Sequence, residues 1–292
     1  MIFKGSGVAI CTPFTQNGIN FDTFEKLIEF QIANDTDAII VCGTTGEPST
    51  MTDDEQASLI QFAVKTVDKR IPVIAGIGGN NTAHVIHCAK AAQDLGADGL
   101  LGVTPYYNKC TNAGLIAHFT AVADATDLPI ILYNVPARTS VNICPSVFAE
   151  LCQHKNIAAI KEASGNISQI AEMARVCRGY ADVYSGNDDH VVPVLSLGGV
   201  GVISVVANLM PKYMHNMVTE YQNGNTAKAC EMQLEINTLG AALFAEVNPI
   251  PVKTALRLMN FDMGPFRLPL TEIAHNHLDS LIIELKKFGL YE

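Results

Sequence analysis

The chain has 292 residues, 48% of them hydrophobic, and a formal net charge of -10. The 19 basic residues against 29 acidic ones exclude a general nucleic-acid binder, which needs clustered Lys and Arg to meet phosphate, but leave room for small anionic substrates in a locally positive pocket. No run approaches the ~20 apolar residues of a membrane span, and residues 1–14 lack the basic-then-apolar profile of a signal peptide, so the expectation is a soluble cytoplasmic protein with no membrane partner.

The first apolar run is 8–12, followed by residues 21–28 with apolar positions three and four apart, a helical pattern. The run 38–42 ends in Gly43-Thr44-Thr45-Gly46-Glu47, and a helix opens near Thr52 with Asp53, Asp54 and Glu55 in its first turn. The run 73–77 precedes a helix over 82–95, capped by Asn80-Asn81 and stopped at Gly96. The run 99–103 leads to Pro105-Tyr106-Tyr107-Asn108. The run 130–133 ends in Tyr133-Asn134-Val135-Pro136, with Arg138 just beyond. The run 158–161 ends in Lys161-Glu162, the run 183–185 in Gly186-Asn187-Asp188, and the last is 201–205.

These runs are apolar throughout rather than alternating, as in strands covered on both faces. Strand and helix alternate about eight times, which argues for a parallel sheet wrapped in helices. Eight units favour a closed (β/α)8 TIM barrel of the α/β class over an open doubly wound sheet, and no G-x-G-x-x-G follows the first strand. Helical patterns at 211–222, 226–245, 250–259 and 271–288 then follow with no strand between them. The expected organisation is a catalytic barrel over 1–224 and a C-terminal helical region over 225–292. The 8 cysteines form no C-x-x-C pair and read as buried free thiols.

Barrel chemistry sits at the carboxyl ends of the strands. Lys161 closes an apolar strand, where a desolvated amine loses its proton and becomes a nucleophile for a carbonyl carbon. The same position would suit a structural lysine paired with Glu162. Tyr133 ends the preceding strand and can shuttle protons there, or be a core tyrosine. Thr44 and Thr45 offer hydroxyls and backbone N–H groups to a carboxylate, or make a simple turn. Arg138 can grip a carboxylate with two hydrogen bonds, or form a surface ion pair. No metal is expected: His84 with His87 and His275 with His277 have no third ligand at recognisable spacing, and Asp188-Asp189-His190 reads as a polar strand end and helix start. Gly76-Ile77-Gly78-Gly79 lacks the Lys of a phosphate-binding loop.

In order along the chain, Gly43-Thr44-Thr45-Gly46-Glu47, Tyr133-Asn134-Val135-Pro136 and Lys161-Glu162 resemble the pyruvate-dependent class I aldolase family. The likeness runs from Gly7 to the Asn-Pro-Ile-Pro-Val-Lys stretch at 248–253. Two threonines in the first motif, Tyr106-Tyr107 and Arg138-Thr139 are more similar to its dihydrodipicolinate synthase branch than to its sugar-acid lyases, which remain the alternative. The resemblance implies a lyase that condenses pyruvate with L-aspartate-4-semialdehyde in diaminopimelate and lysine biosynthesis. Lys161 would carry the pyruvate imine, and no metal or organic cofactor is implied. Tyr133, Thr45 and Tyr107 would form a proton relay, with Tyr107 reaching in from a neighbouring subunit of a homotetramer. Thr44 and Thr45 would position pyruvate, Arg138 would bind the semialdehyde carboxylate, and the backbones of Gly186 and Ile203 would line the pocket. Lysine-inhibited members of the family carry His at position 56 and Glu at position 84. This chain has Gln56 and His84 there, with Asn80 and Tyr106 nearby and Pro48-Ser49 in the adjoining loop. Loss of the carboxylate that meets the ammonium of lysine implies weak or absent lysine inhibition.

Overall fold

A computed structural model describes residues 1–292. Eight parallel strands close into a barrel: β1 (Gly5–Ala9), β2 (Ala38–Val41), β3 (Val73–Gly76), β4 (Gly99–Val103), β5 (Ile130–Asn134), β6 (Ile157–Glu162), β7 (Asp182–Ser185) and β8 (Gly201–Ser204). β1 pairs with both β2 and β8, which closes the ring. At that seam a side chain on Gly201 would collide with the Gly5 carbonyl, so only glycine permits the pairing.

The helices that follow the strands are α1 (Phe21–Ala33), α2 (Asp53–Val67), α3 (Thr82–Asp94), α4 (Asn112–Asp124), α5 (Pro145–Leu151), α6 (Ile167–Val176), α7 (Val191–Ser196) and α8 (Pro211–Gln222). Side-chain caps fix the starts of α1, α2, α3, α4 and α6. Thr52 and Glu55 form a reciprocal capping box on α2, and the Asn81 side chain accepts from the Ala83 and His84 N–H groups on α3. One core layer fills the space between barrel and helices; a second, inside the barrel, includes Ile40, Ile131, Tyr133, Tyr184 and Ile203.

The first strand lies earlier than the run 8–12. Gly5, Ser6 and Gly7 carry no apolar signal, yet they form the ladder to β8. Beyond Ala9 the Ile10 N–H still reaches the Ile40 carbonyl at 3.1 Å, but the Cys11 N–H donates to the Asn208 side chain at 3.0 Å and the strand ends.

Past α8 the chain forms α9 (Thr226–Leu243), α10 (Ile250–Leu258) and α11 (His275–Lys287). The last helix starts four residues after the expected 271 because Glu246 accepts from the Ala274 N–H at 2.8 Å and contacts His277 Nδ1 at 2.8 Å, which sets its first turn. α9 lies on α7 and α8, and its Gln233 donates to the Asp188 carbonyl at 2.8 Å, so the C-terminal helices touch the carboxyl end of β7. No helix is long and apolar enough to cross a membrane. All eight cysteines are free, but only Cys11, Cys42, Cys152 and Cys177 are buried, and Cys230 is exposed on α9, so uniform burial was an overstatement.

Candidate active site

Tyr133 and Lys161 are register partners across β5 and β6, and Lys161 pairs in turn with Tyr184 on β7. Side chains at one level of neighbouring parallel strands meet, and the Lys161 ammonium nitrogen lies 4.2 Å from the centroid of the Tyr133 ring. Lys161 is 5% exposed. Burial brings its pKa from 10.5 to about 7, with Asp188 pulling it up and Arg138 pushing it further down. Close to half of this amine is therefore neutral near pH 7, the state that attacks a carbonyl.

The structural pairing with Glu162 does not occur. Alternation along β6 turns Glu162 away, where it accepts from Asn134 Nδ2 at 2.8 Å and from the Ser164 N–H at 2.7 Å. Gly186 matters by its bareness. A Cβ there would sit 2.7 Å from Ala163 Cβ and 3.1 Å from Lys161 Cγ, and would crowd the lysine stem. Its N–H donates to the Glu162 carbonyl at 2.8 Å. Ile203 is fully buried in the barrel interior, opposite Gly7.

Thr44 and Thr45 lie in a 3-10 turn, Thr44–Gly46, at the end of β2. Successive residues in such a turn point about 120° apart, so the two hydroxyls face different partners. Burial raises the pKa of the Tyr133 phenol, while Arg138 and the Thr44 hydroxyl draw it down. Thr45 instead accepts from Asn248 Nδ2 at 2.9 Å. Of the two hydroxyls, that of Thr44 acts on Tyr133, while that of Thr45 meets Asn248. Glu47, at a left-handed φ of 58°, ends the turn with its carboxylate 2.6 Å from Lys253 Nζ, both side chains fully buried.

Asp188 lies where the sequence puts it, at a polar strand end and helix start, and opens the 3-10 turn Asp188–His190. The structure buries it: Oδ2 accepts from the Val205 and Val206 N–H groups at 3.0 and 3.1 Å, and Oδ1 has no partner. Burial raises its pKa, and Ser204 and the two amides draw it down. It is the acid that acts on Lys161. Its position two residues past Gly186, at a strand end, was the available signal.

Above this floor opens a cavity of about 810 Å³ lined by Thr44, Tyr133, Arg138, Tyr106 and Tyr107, and also by Pro48, Ser49, Gln56, Asn80 and His84. Lys161, Thr45, Gly186 and Ile203 are not in its walls. Arg138 is exposed to the cavity and makes no ion pair, so the surface-pair reading fails and its fork is free for an anion. Tyr107 is 92% exposed and holds a φ of 63°, a conformation that costs a bulky residue energy. Asn80 grips the Tyr106 backbone through both its N–H and its carbonyl. Gln56 donates to the Pro48 carbonyl at 3.0 Å. His84 lies 3.6 Å from Asp53 and 3.5 Å from the Cys88 sulfur, so its ring has an acidic neighbour of its own.

A parallel barrel with a buried lysine of lowered pKa inside it, a phenol at the same level and a hydroxyl-rich turn beside them is the arrangement of a lyase of class I aldolase type. Residues 2–288 match the model of the dihydrodipicolinate synthetase family, and the chain belongs to that family. It is 56% identical over 290 residues to the 4-hydroxy-tetrahydrodipicolinate synthase of Thermoanaerobacter sp. (strain X514), covering 99% of this chain and 98% of that one. A Clostridium acetobutylicum protein of the same name, numbered 1, is 54% identical over 289 residues and 99% of each chain. The crystal structure of dihydrodipicolinate synthase from Thermotoga maritima superposes with a TM-score of 0.97 at 43% identity, over 99% of this chain and 100% of that one.

Proposed function

We propose that this protein is a lyase that condenses pyruvate with L-aspartate-4-semialdehyde in diaminopimelate and lysine biosynthesis, through an imine on Lys161. The observation that carries the reading is a buried lysine with no acid in contact, brought to about 7 and lying 4.2 Å from the Tyr133 ring. Full-length relatives above half identity carry the corresponding name, which favours this reading over a sugar-acid lyase.

The neutral amine attacks the keto carbon of pyruvate. Loss of water leaves a protonated imine, which draws electrons from the methyl group and yields an enamine. The enamine carbon attacks the aldehyde, and the substrate's own amine then displaces Lys161 as the ring closes. Tyr133, with Thr44 acting on its phenol, passes protons to and from the leaving hydroxyl and the new alkoxide. Asp188, the acid that acts on Lys161, serves a nitrogen that stays cationic in the imine. Arg138, free of any acid, receives the semialdehyde carboxylate. The imine itself is the electron sink, so the chemistry calls on no metal or organic cofactor.

Tyr107 borders the cavity almost fully exposed, in a strained conformation. That suits a residue donated to the site of a neighbouring copy, in a cytoplasmic homotetramer built as a dimer of dimers. The test is borohydride reduction in the presence of pyruvate, followed by peptide mass mapping. The expected adduct is on Lys161, absent in Lys161→Ala, and forms faster as pH rises through 7. An adduct on another residue would overturn the mechanism.

A further inference from the structure

We propose that Asn248, on the C-terminal segment, is a positioning residue for the keto acid: its amide takes up the Thr45 oxygen and so directs the Thr45 hydrogen at the substrate carboxylate. The inference rests on the imine reading above and adds a residue from outside the barrel to that site. A threonine hydroxyl has one hydrogen to give and lone pairs to receive. Asn248 Nδ2 donates to Thr45 Oγ1 at 2.9 Å, and both residues are buried. No protein group accepts the Thr45 hydrogen, and Thr44 next to it lines the cavity. Without Asn248 the hydroxyl can turn, and its hydrogen is no longer aimed.

The amide is held in place by a second attachment of the same segment. Residues 248–253 run into α10, and Lys253 closes on Glu47 at 2.6 Å. Asn248 thus grips Thr45 and Lys253 grips Glu47, on either side of Gly46, so the turn that carries both threonines is held from the C-terminal region. Asn248 Oδ1 is buried with no donor. An amide kept half unsatisfied in a dry site is unfavourable. Its N–H group is the part in use.

The test measures the pyruvate concentration that gives half-maximal borohydride trapping, for Asn248→Ala in the Thr45 background and in a Thr45→Val background. The expected result is a rise of about tenfold in the first and little change in the second, because one hydrogen bond to a charged group is lost only once. Asn248→Asp keeps the shape but can only accept from Thr45, and should raise the value further, while KM for the aldehyde stays near wild type in both variants. A loss of the same size in the Thr45→Val background marks a merely structural role and overturns the proposal, as does an Asn248→Asp enzyme that takes pyruvate like wild type. Should the alanine variant not fold, Asn248→Asp carries the same two-background comparison. Failure of the wild type to be trapped at all would instead overturn the imine mechanism.

Discussion

Replacing Lys161 by methionine removes the nucleophile and should also stabilise the fold. The amine titrates at about 7 in the barrel against 10.5 for an ordinary lysine. Between those values the unfolded chain binds a proton that the folded chain does not, so stability rises with pH across this window. The penalty of burying the amine is complete below about 7 and gone above 10.5. With ~1.4 kcal/mol per pH unit, it comes to about 4 kcal/mol at pH 7 and about 2 kcal/mol at pH 9. Methionine has a similar length, packs adaptably and carries no charge to desolvate. Urea unfolding followed by circular dichroism should therefore place Lys161→Met above wild type at pH 7, with the gap narrowing by about 2 kcal/mol at pH 9. A variant less stable than wild type at pH 7, or a gap that ignores pH, would refute a depressed lysine.

Arg138→Ala should raise KM for the semialdehyde about ten- to a hundredfold, the worth of a charge-assisted pair, with pyruvate trapping little changed. Equal losses for both substrates would move Arg138 to the pyruvate end. Lys253→Met leaves Glu47 buried without its cation and should cost about 3–5 kcal/mol in urea unfolding, and a loss under about 1 kcal/mol would mean that water reaches the carboxylate. L-lysine should inhibit weakly or not at all, because Gln56 is engaged with the Pro48 carbonyl and position 84 offers an imidazole. A sub-millimolar inhibition constant in steady-state assays would contradict this.

The barrel was legible because strands buried on both faces must be apolar throughout. Lys161 was legible because it ends such a run. Tyr133 followed, since parallel register puts neighbouring strand ends at one level. The choice between Thr44 and Thr45 was not readable, because it depends on the rotation of a 3-10 turn that sequence leaves open. The long-range partners of Asp188 were not readable for a related reason. An acid before a helix looks like a local cap, whereas its partners are amides 17 and 18 residues onward, at the end of the next strand. Asn248 reaches Thr45 across 203 residues, a contact that no local pattern encodes. Lys253 did leave a trace: it is the one charge among seven consecutive buried residues of α10, Ile250 to Leu256, and a helix buried all round with a single charge implies a buried partner.

The two buried lysines show how one residue type takes opposite roles. Both are desolvated, and burial lowers the pKa of each. Lys253 has Glu47 at 2.6 Å, which works against that lowering and makes the pair a fixed strut under the Thr44–Gly46 turn. Lys161 has a ring face at 4.2 Å and an acid that acts on it without touching. A contact ion pair would have held Lys161 protonated and inert toward a carbonyl. A site with no acid at all would leave the protonated imine uncompensated once it formed. Asp188, anchored to the Val205 and Val206 amides with one oxygen unpaired, lies between these limits. The acid acts on the nitrogen that the reaction makes cationic, yet forms no contact pair that would take the amine out of use beforehand. Reactivity at this strand end therefore depends on the acid being held off the lysine, and the two amides that follow β8 do the holding.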